Sequence, residues 1–224
     1  MSDDSFIREV DEELRSERVQ EIWKSYGKWI IAAAVAVVVG VGAYRTWEYV
    51  AAKQAAEAGD AFIASVRLAD SGKVDEALTK LESLKQEGSD VYAALAGLRR
   101  ASEFAKKGDV DKAVEEYDTV AAQSGIDENL RDIARLRAGA LLVDSAGVTE
   151  VQARVGTLMG PGAPYRSSAR ETMALAYYKA GDLENAAKLY KEASADEGAP
   201  DALKNRATLM LELIAARGGP KVEG

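Results

Sequence analysis

The chain has 224 residues, a formal net charge of −8, and a hydrophobic share of 47%. Only four prolines and few aromatic residues occur, which is typical of helical proteins, and the acidic balance argues against nucleic-acid binding. The absence of cysteine and histidine excludes disulfides, thiol catalysis, thiolate metal sites and an imidazole general base. We therefore expect a protein that has no enzymatic activity and binds no cofactor or metal.

Residues 1–24 form a predicted cytoplasmic tail. Within it, Phe6, Ile7, Val10 and Leu14 fall on one face of a helix with 3.6 residues per turn. Two interpretations are open. The tail is either an amphipathic helix that docks on a partner or on the membrane surface, or a solvated, partly formed helix that leads into the membrane. The acidic excess disfavours lipid binding and slightly favours the second interpretation.

An apolar stretch without charges runs from Trp29 to Tyr44 and predicts a transmembrane helix over residues 25–47. The stretch alone is slightly short for a hydrocarbon core of about 30 Å, and the flanking residues extend it. Aromatic side chains bracket it, as is usual where a helix crosses the two membrane interfaces. The predicted interface residues are Trp23, Tyr26, Trp29, Tyr44 and Trp47.

Two other interpretations of the apolar stretch compete with an uncleaved anchor. A cleaved signal peptide would use Val41-Gly42-Ala43 as its cleavage site, but the long acidic region before the stretch is unlike a short basic n-region. A buried core helix is disfavoured by the two aromatic belts and by the apolar surface all round the helix.

The orientation follows the lysines and arginines that flank the span. More of them precede it than follow it, namely Arg15, Arg18, Lys24 and Lys28 before, and Arg45 and Lys53 after. This bias predicts a cytoplasmic N-terminus and a periplasmic domain over residues 48–217. No helix-breaking residue follows Arg45 until Gly59 or Gly72, so the membrane helix is expected to continue into the first helix of that domain.

The domain repeats itself at roughly 35 residues, with glycines at the turns. Three turns are followed by closely similar segments, GKVDEALTKLESL, GDVDKAVEEYDTV and GDLENAAKLYKEA. In each, an alanine lies five residues after the glycine and a bulky residue four later, which predicts one buried helical face. These residues are Ala77, Ala113 and Ala186, and Leu81, Tyr117 and Tyr190.

A fourth unit, around Gly147, departs from the pattern. It lacks the bulky residue and contains Gly156 and Gly160, so its second helix is expected to be short or irregular. Residues 201–217 predict a terminal capping helix, and residues 218–224 a disordered tail. The predicted fold is all-α: one N-terminal transmembrane helix followed by an α-solenoid of about four helical hairpins plus a capping helix.

These repeats resemble the tetratricopeptide repeat, most clearly in the series Ala174, Tyr177, Gly181, Ala186, Tyr190, Ala193 and Pro200. The short tail, the span near residue 30, the exit GVGAYRTWEY and the degenerate repeats together are similar to the YfgM-like family. The resemblance implies an ancillary subunit of the SecYEG translocon in the bacterial inner membrane. It also implies an association with a PpiD-like membrane-anchored chaperone and with the periplasmic chaperone network that handles exported polypeptides.

In such arrays the first helix of each hairpin lines a concave groove. The predicted protein-binding residues on those helices are Leu95, Leu98, Arg99, Ser102, Arg137, Leu141, Glu171, Thr172, Leu175 and Tyr178. Their mixture of apolar and charged side chains suits an extended or helical segment of another protein. The leading hypothesis is a membrane-tethered adaptor for exported polypeptides or the translocation machinery. The alternatives are a scaffold that coordinates envelope or cell-division complexes and, third, an enzyme.

Overall fold

The computed structural model describes the backbone of residues 3–220 and the side chains of residues 23–220. Within these residues all regular structure is helical, which confirms the predicted fold class. The α-helices are α1 (Asp3–Asp70), α2 (Val74–Glu87), α3 (Asp90–Lys106), α4 (Val110–Ala121), α5 (Glu128–Leu142), α6 (Val148–Val155), α7 (Arg166–Lys179), α8 (Leu183–Ser194) and α9 (Asp201–Ala216). A short 3₁₀-helix, Gly156–Met159, follows α6. The chain divides into two compact units, Met1–Ala56 and Glu57–Gly224.

In the first unit, the described backbone from Asp3 to Ala56 belongs to α1, and the large apolar side chains described there, from Trp23 onward, are exposed. By length and composition, α1 is the described helix that is able to cross a membrane. Because almost none of its apolar window is buried, the buried-core alternative is wrong. The predicted interface residues all lie on α1 with exposures of 58–68%: Trp23, Tyr26, Trp29, Tyr44 and Trp47. The helix continues past the predicted span to Asp70 without a break, as expected.

Two predictions concern parts of the chain for which the structure gives no description. The amphipathic face of the tail rests on side chains before Trp23, which lie outside the described side chains. Most of the predicted disordered tail, residues 221–224, also lies outside the described residues.

The second unit is an array of helical hairpins that end in glycine turns. Gly72, Gly108 and Gly181 have φ angles of +85°, +81° and +82°, which glycine adopts without steric cost. In each turn, the N–H after the glycine donates to the carbonyl five residues earlier; for example, Asp109 donates to Phe104 at 3.0 Å. This pattern closes a helix C-terminus and reverses the chain. The hairpins are the end of α1 with α2, α3 with α4, α5 with α6, and α7 with α8.

The unit around Gly147 is irregular, as predicted. Gly147 has a φ of −79° and precedes α6 as its N-cap, so it does not form the left-handed turn of the other units. Helix α6 has 8 residues, against 12 in α4 and in α8. The 3₁₀-helix then carries the chain to a loop containing Gly162, where a φ of +82° bends it toward α7.

Small residues at the predicted positions allow the helices to pack closely. Ala77, Ala113 and Ala186 are fully buried, and Tyr117 and Tyr190 are only 3% and 2% exposed. Helix α9 covers the last hairpin, and the predicted capping role is evident from its buried side chains. These are Leu203, Ala207, Leu211 and Ile214, which share one core cluster with Tyr190.

The contact between α5 and α6 depends on Gly139. A Cβ atom at this position would lie 2.5 Å from Val155 Cγ1, much closer than a real contact. We expect Gly139→Ala to lower the free energy of unfolding by about 1–2 kcal/mol, because overpacking outweighs the roughly 1 kcal/mol that alanine adds to a helix. Denaturant titration of the detergent-solubilised protein, followed by circular dichroism, measures this change.

The matched control uses a Val155→Ala background, which removes the colliding methyl group. There, adding Gly139→Ala is expected to be neutral or stabilising. A stabilising effect of Gly139→Ala in the otherwise unchanged protein would show that the two helices are not in close contact at this point.

Candidate protein-binding face

Two layers of helices build the array. The first helices of the hairpins lie side by side, and ion pairs connect neighbours: Arg99 of α3 contacts Asp70 of α1, and Arg206 of α9 contacts Glu171 of α7, both at 2.8 Å. The second helices form the other layer, in which Lys85 of α2 contacts Glu116 of α4 at 2.8 Å. We call the solvent-facing side of α3, α5, α7, α9 and the 57–70 part of α1 the first-helix face.

The structure separates the ten predicted groove residues into three groups. Arg99 and Glu171 are held in ion pairs. Four others pack wholly or partly against core clusters: Leu98, which is 9% exposed, and Leu141, Leu175 and Tyr178. The remaining four belong to no core cluster and are half-buried or exposed on the first-helix face: Leu95, Ser102, Arg137 and Thr172.

Burial along α3 shows which of its sides is open. Ala94, Leu98 and Ala101 pack toward α4 and α5, and Ala96 packs toward α1 and α2. Val91, Leu95 and Ser102 are four and seven residues apart and lie between these buried stripes. Val91 is 49% exposed, so it adds apolar surface to the open side of α3.

Several residues of this face are not among the ten predicted ones. Ile63, at 49% exposure, and Arg67 belong to the part of α1 within the second unit, and Leu213 of α9 is 43% exposed. Val91 was available from the sequence as the residue one helical turn before Leu95. Ile63 was equally available, because the Gly72 turn that ends α1 sets the register of the first hairpin.

Ion pairs neutralise much of the charge on the face. Arg99 bonds both Asp70 and Glu103 at 2.8 Å, and the Glu103 side chain is only 3% exposed. Glu171 accepts two hydrogen bonds from Arg206, at 2.8 and 2.9 Å, and raises the pKa of that guanidinium. Arg67 and Arg137 have no ion pair within the described residues, so their charges remain available to a partner.

The shifted pKa values among the described side chains have local causes, namely hydrogen bonds, ion pairs and burial. Side-chain hydrogen bonds lower the pKa of four aspartates, which keeps them ionised and unsuited to donating protons. Their donors are Lys107 to Asp75, Lys112 to Asp109, Asn185 to Asp182, and Arg166 to Asp196. Burial raises the pKa of Tyr190. Side chains from Trp23 to Pro220 contain no cluster of three or more His, Cys, Asp or Glu residues that could hold a metal ion.

The family model of the tetratricopeptide repeat-like domain matches residues 20–216. The chain belongs to this family. The match begins before the predicted transmembrane span and ends at the last residue of α9, so it takes in the span and the whole array. Shared family membership therefore applies to nearly the complete chain and not to isolated repeats.

A relative within the curated proteins agrees with this assignment. Over 149 residues, the chain is 30% identical to the ancillary SecYEG translocon subunit of Escherichia coli (strain K12). The aligned region covers 65% of this chain and 70% of that protein. The predicted resemblance to the YfgM-like family is thereby confirmed. No solved structure gives a significant match.

Proposed function

We propose that this tetratricopeptide repeat-like protein is a single-pass inner-membrane adaptor. It acts as an ancillary subunit of a SecYEG translocon and assists periplasmic chaperones, including a PpiD-like membrane-anchored chaperone, in handling exported polypeptides. Its N-terminus lies in the cytoplasm and residues 48–217 lie in the periplasm. The observation that carries the proposal is the 30% identity to a named ancillary SecYEG translocon subunit.

The architecture supports this function physically. The exposed apolar part of α1 supplies a membrane anchor, and the first-helix face offers apolar and charged side chains that the core does not use. An anchored binding surface close to a channel experiences a high effective concentration of the emerging chain. Weak contacts therefore suffice, and a client can be released again without an energy source.

Site-specific photocrosslinking in living cells tests the proposal. A photoreactive residue at Leu95, Arg137 or Thr172 is expected to capture translocon subunits or exported proteins. Matched controls at Lys80 of α2 and Lys188 of α8, which are exposed on the second-helix layer, are expected to capture few or none. Equal, nonspecific products from both sets would refute a binding role for the first-helix face.

Co-purification in mild detergent separates the leading proposal from the scaffold alternative. Recovery of SecYEG subunits supports the translocon assignment. Recovery of envelope-assembly or division complexes without channel subunits would instead favour the scaffold.

A further inference from the structure

Apolar side chains form a row across the beginning of the first-helix face. The row consists of Ile63 of α1, which is 49% exposed, and of Leu95 of α3 and Ile133 of α5, which are half-buried. Two contacts fix the level of Ile63 relative to α3. A Cβ atom on Gly59 would meet Tyr92 Oη at 2.8 Å, and Asp70 pairs with Arg99. The level of Ile63 therefore falls between those of Tyr92 and Arg99, in the part of α3 that carries Leu95.

Ile133 continues this row on α5. Its neighbour Ala134 shares a core cluster with Ala94 and Leu98, the residues that flank Leu95 on the buried side of α3. Ile133 itself belongs to no core cluster, because it lies on a different side of α5 from the buried residues Ala134 and Ala138. Val91, at 49% exposure, widens the row by one turn of α3.

An arginine follows each residue of the apolar row four positions later. The pairs are Ile63 and Arg67, Leu95 and Arg99, and Ile133 and Arg137. Residues four apart lie one above the other on a helix, about one turn or 5.4 Å apart along its axis. The first-helix face thus carries a row of apolar side chains and, one turn further along three neighbouring helices, a row of guanidinium groups.

Part of the positive charge of the arginine row is not neutralised by ion pairs within the described residues. Asp70 and Glu103 neutralise Arg99, whereas Arg67 and Arg137 are exposed and have no ion pair within the described part of the chain. The protein as a whole carries a net charge of −8, so this row opposes the general charge of the molecule. Guanidinium groups bind carboxylates through paired hydrogen bonds, and the adjacent row accepts apolar side chains.

We infer that the first-helix face selects polypeptide segments in which apolar side chains are accompanied by acidic ones. The apolar residues contact Ile63, Val91, Leu95 and Ile133, and the carboxylates contact Arg67 and Arg137. This inference rests on the proposed function and specifies the class of segment that the adaptor holds. Segments rich in lysine or arginine are disfavoured because their charges would meet the arginine row.

Fluorescence anisotropy with the full-length protein in detergent tests the selectivity. Three labelled peptides share the same length and the same apolar residues, and carry glutamate, glutamine or lysine at the intervening positions. The glutamate peptide is expected to bind about tenfold more tightly than the lysine peptide. The difference is expected to shrink as salt is added, because exposed charges are screened.

Charge reversal identifies the responsible residue. Arg137→Glu is expected to weaken binding of the glutamate peptide about tenfold and to strengthen binding of the lysine peptide. Lys188→Glu makes the same change of net charge on the opposite layer and is expected to leave both affinities unchanged. Val91→Ser is expected to weaken binding of all three peptides, and thermal unfolding of each variant shows that it is folded.

The outcomes distinguish this inference from the proposed function. Equal binding of the glutamate and glutamine peptides, or equal effects of Arg137→Glu and Lys188→Glu, overturns charge selection and leaves a peptide-binding adaptor. Failure of all three peptides to bind also overturns the inference. Only the loss of specific crosslinks from the first-helix face in cells counts against the proposed function itself.

Discussion

Replacing both Val37 and Val38 by arginine is expected to move the protein out of the membrane fraction. These valines lie near the middle of the predicted span, residues 25–47, and are 64% and 71% exposed on α1. An arginine at the centre of a membrane helix costs about 2.5–3.5 kcal/mol, so two cost about 5–7 kcal/mol. A penalty of this size changes the ratio of inserted to uninserted protein by several orders of magnitude. Ultracentrifugation after carbonate washing measures the membrane-bound fraction.

Val50→Arg provides the matched control, because it introduces the same side chain just beyond the predicted span. Val50 is also exposed on α1, and an arginine there can reach the polar interface. It is therefore expected to leave insertion nearly unchanged. If the double variant stayed in the washed membranes as completely as the Val50→Arg control, residues 25–47 would not be the membrane anchor.

Asp196→Asn is expected to destabilise the last hairpin and its cap. Asp196 lies between α8 and α9, and its side chain is 2% exposed. It accepts hydrogen bonds from Arg166 at 2.5 Å, from Ser167 Oγ at 2.7 Å and from the N–H of Gly198 at 3.0 Å. Asparagine would remove the charge and turn an amide toward the guanidinium.

We expect this substitution to lower the free energy of unfolding by about 2 kcal/mol. This is less than the usual cost of breaking a buried ion pair, because the Arg166 side chain is 32% exposed and can bind water instead. Denaturant titration in detergent measures the change. Asp60→Asn is the matched control. Asp60 is exposed on α1 without an ion pair in the described part of the chain, and its substitution is expected to cost less than about 0.5 kcal/mol. Equal effects of the two substitutions would contradict the structural role of Asp196.

The same contact gives stability a defined dependence on pH. Hydrogen bonds from Arg166 and Ser167 hold the pKa of Asp196 well below the ordinary aspartate value of 3.8. The folded state therefore binds this proton less tightly than the unfolded state, so the contribution is present above about pH 4 and is lost on further acidification. Below pH 4, the free energy of unfolding is expected to fall more steeply for the wild type than for Asp196→Asn.

The repeating elements were predictable because their causes are local. A glycine in the left-handed region ends a helix, and an alanine five residues later permits close packing. Both features recur in the sequence around Gly72, Gly108 and Gly181. The apolar stretch of α1 was predictable for a similar reason, since length and composition decide whether a helix can cross a membrane.

Contacts between residues that are distant in the sequence could not be predicted from it. Nothing near Asp196 indicates that Arg166, thirty residues earlier, reaches it. The burial of Leu98 depends on how α5 rests on α3 and α4, which periodicity along α3 does not determine. The spacing of apolar residue and arginine in three helices was visible in the sequence. This spacing indicates a binding surface only once the burial of the neighbouring residues shows that these positions lie on the open sides of their helices.

The 3₁₀-helix after α6 compensates for the shortness of that helix. In a stack of repeats, each element is stabilised mainly by its nearest neighbours. Here α6 and the 3₁₀-helix after it, Gly156–Met159, place Val155 and Leu158 in one core cluster with Met173 of α7. Val155 also lies against Gly139 of α5, so the third and fourth hairpins are joined through this cluster. A substitution that loosens the cluster is therefore expected to weaken both hairpins together.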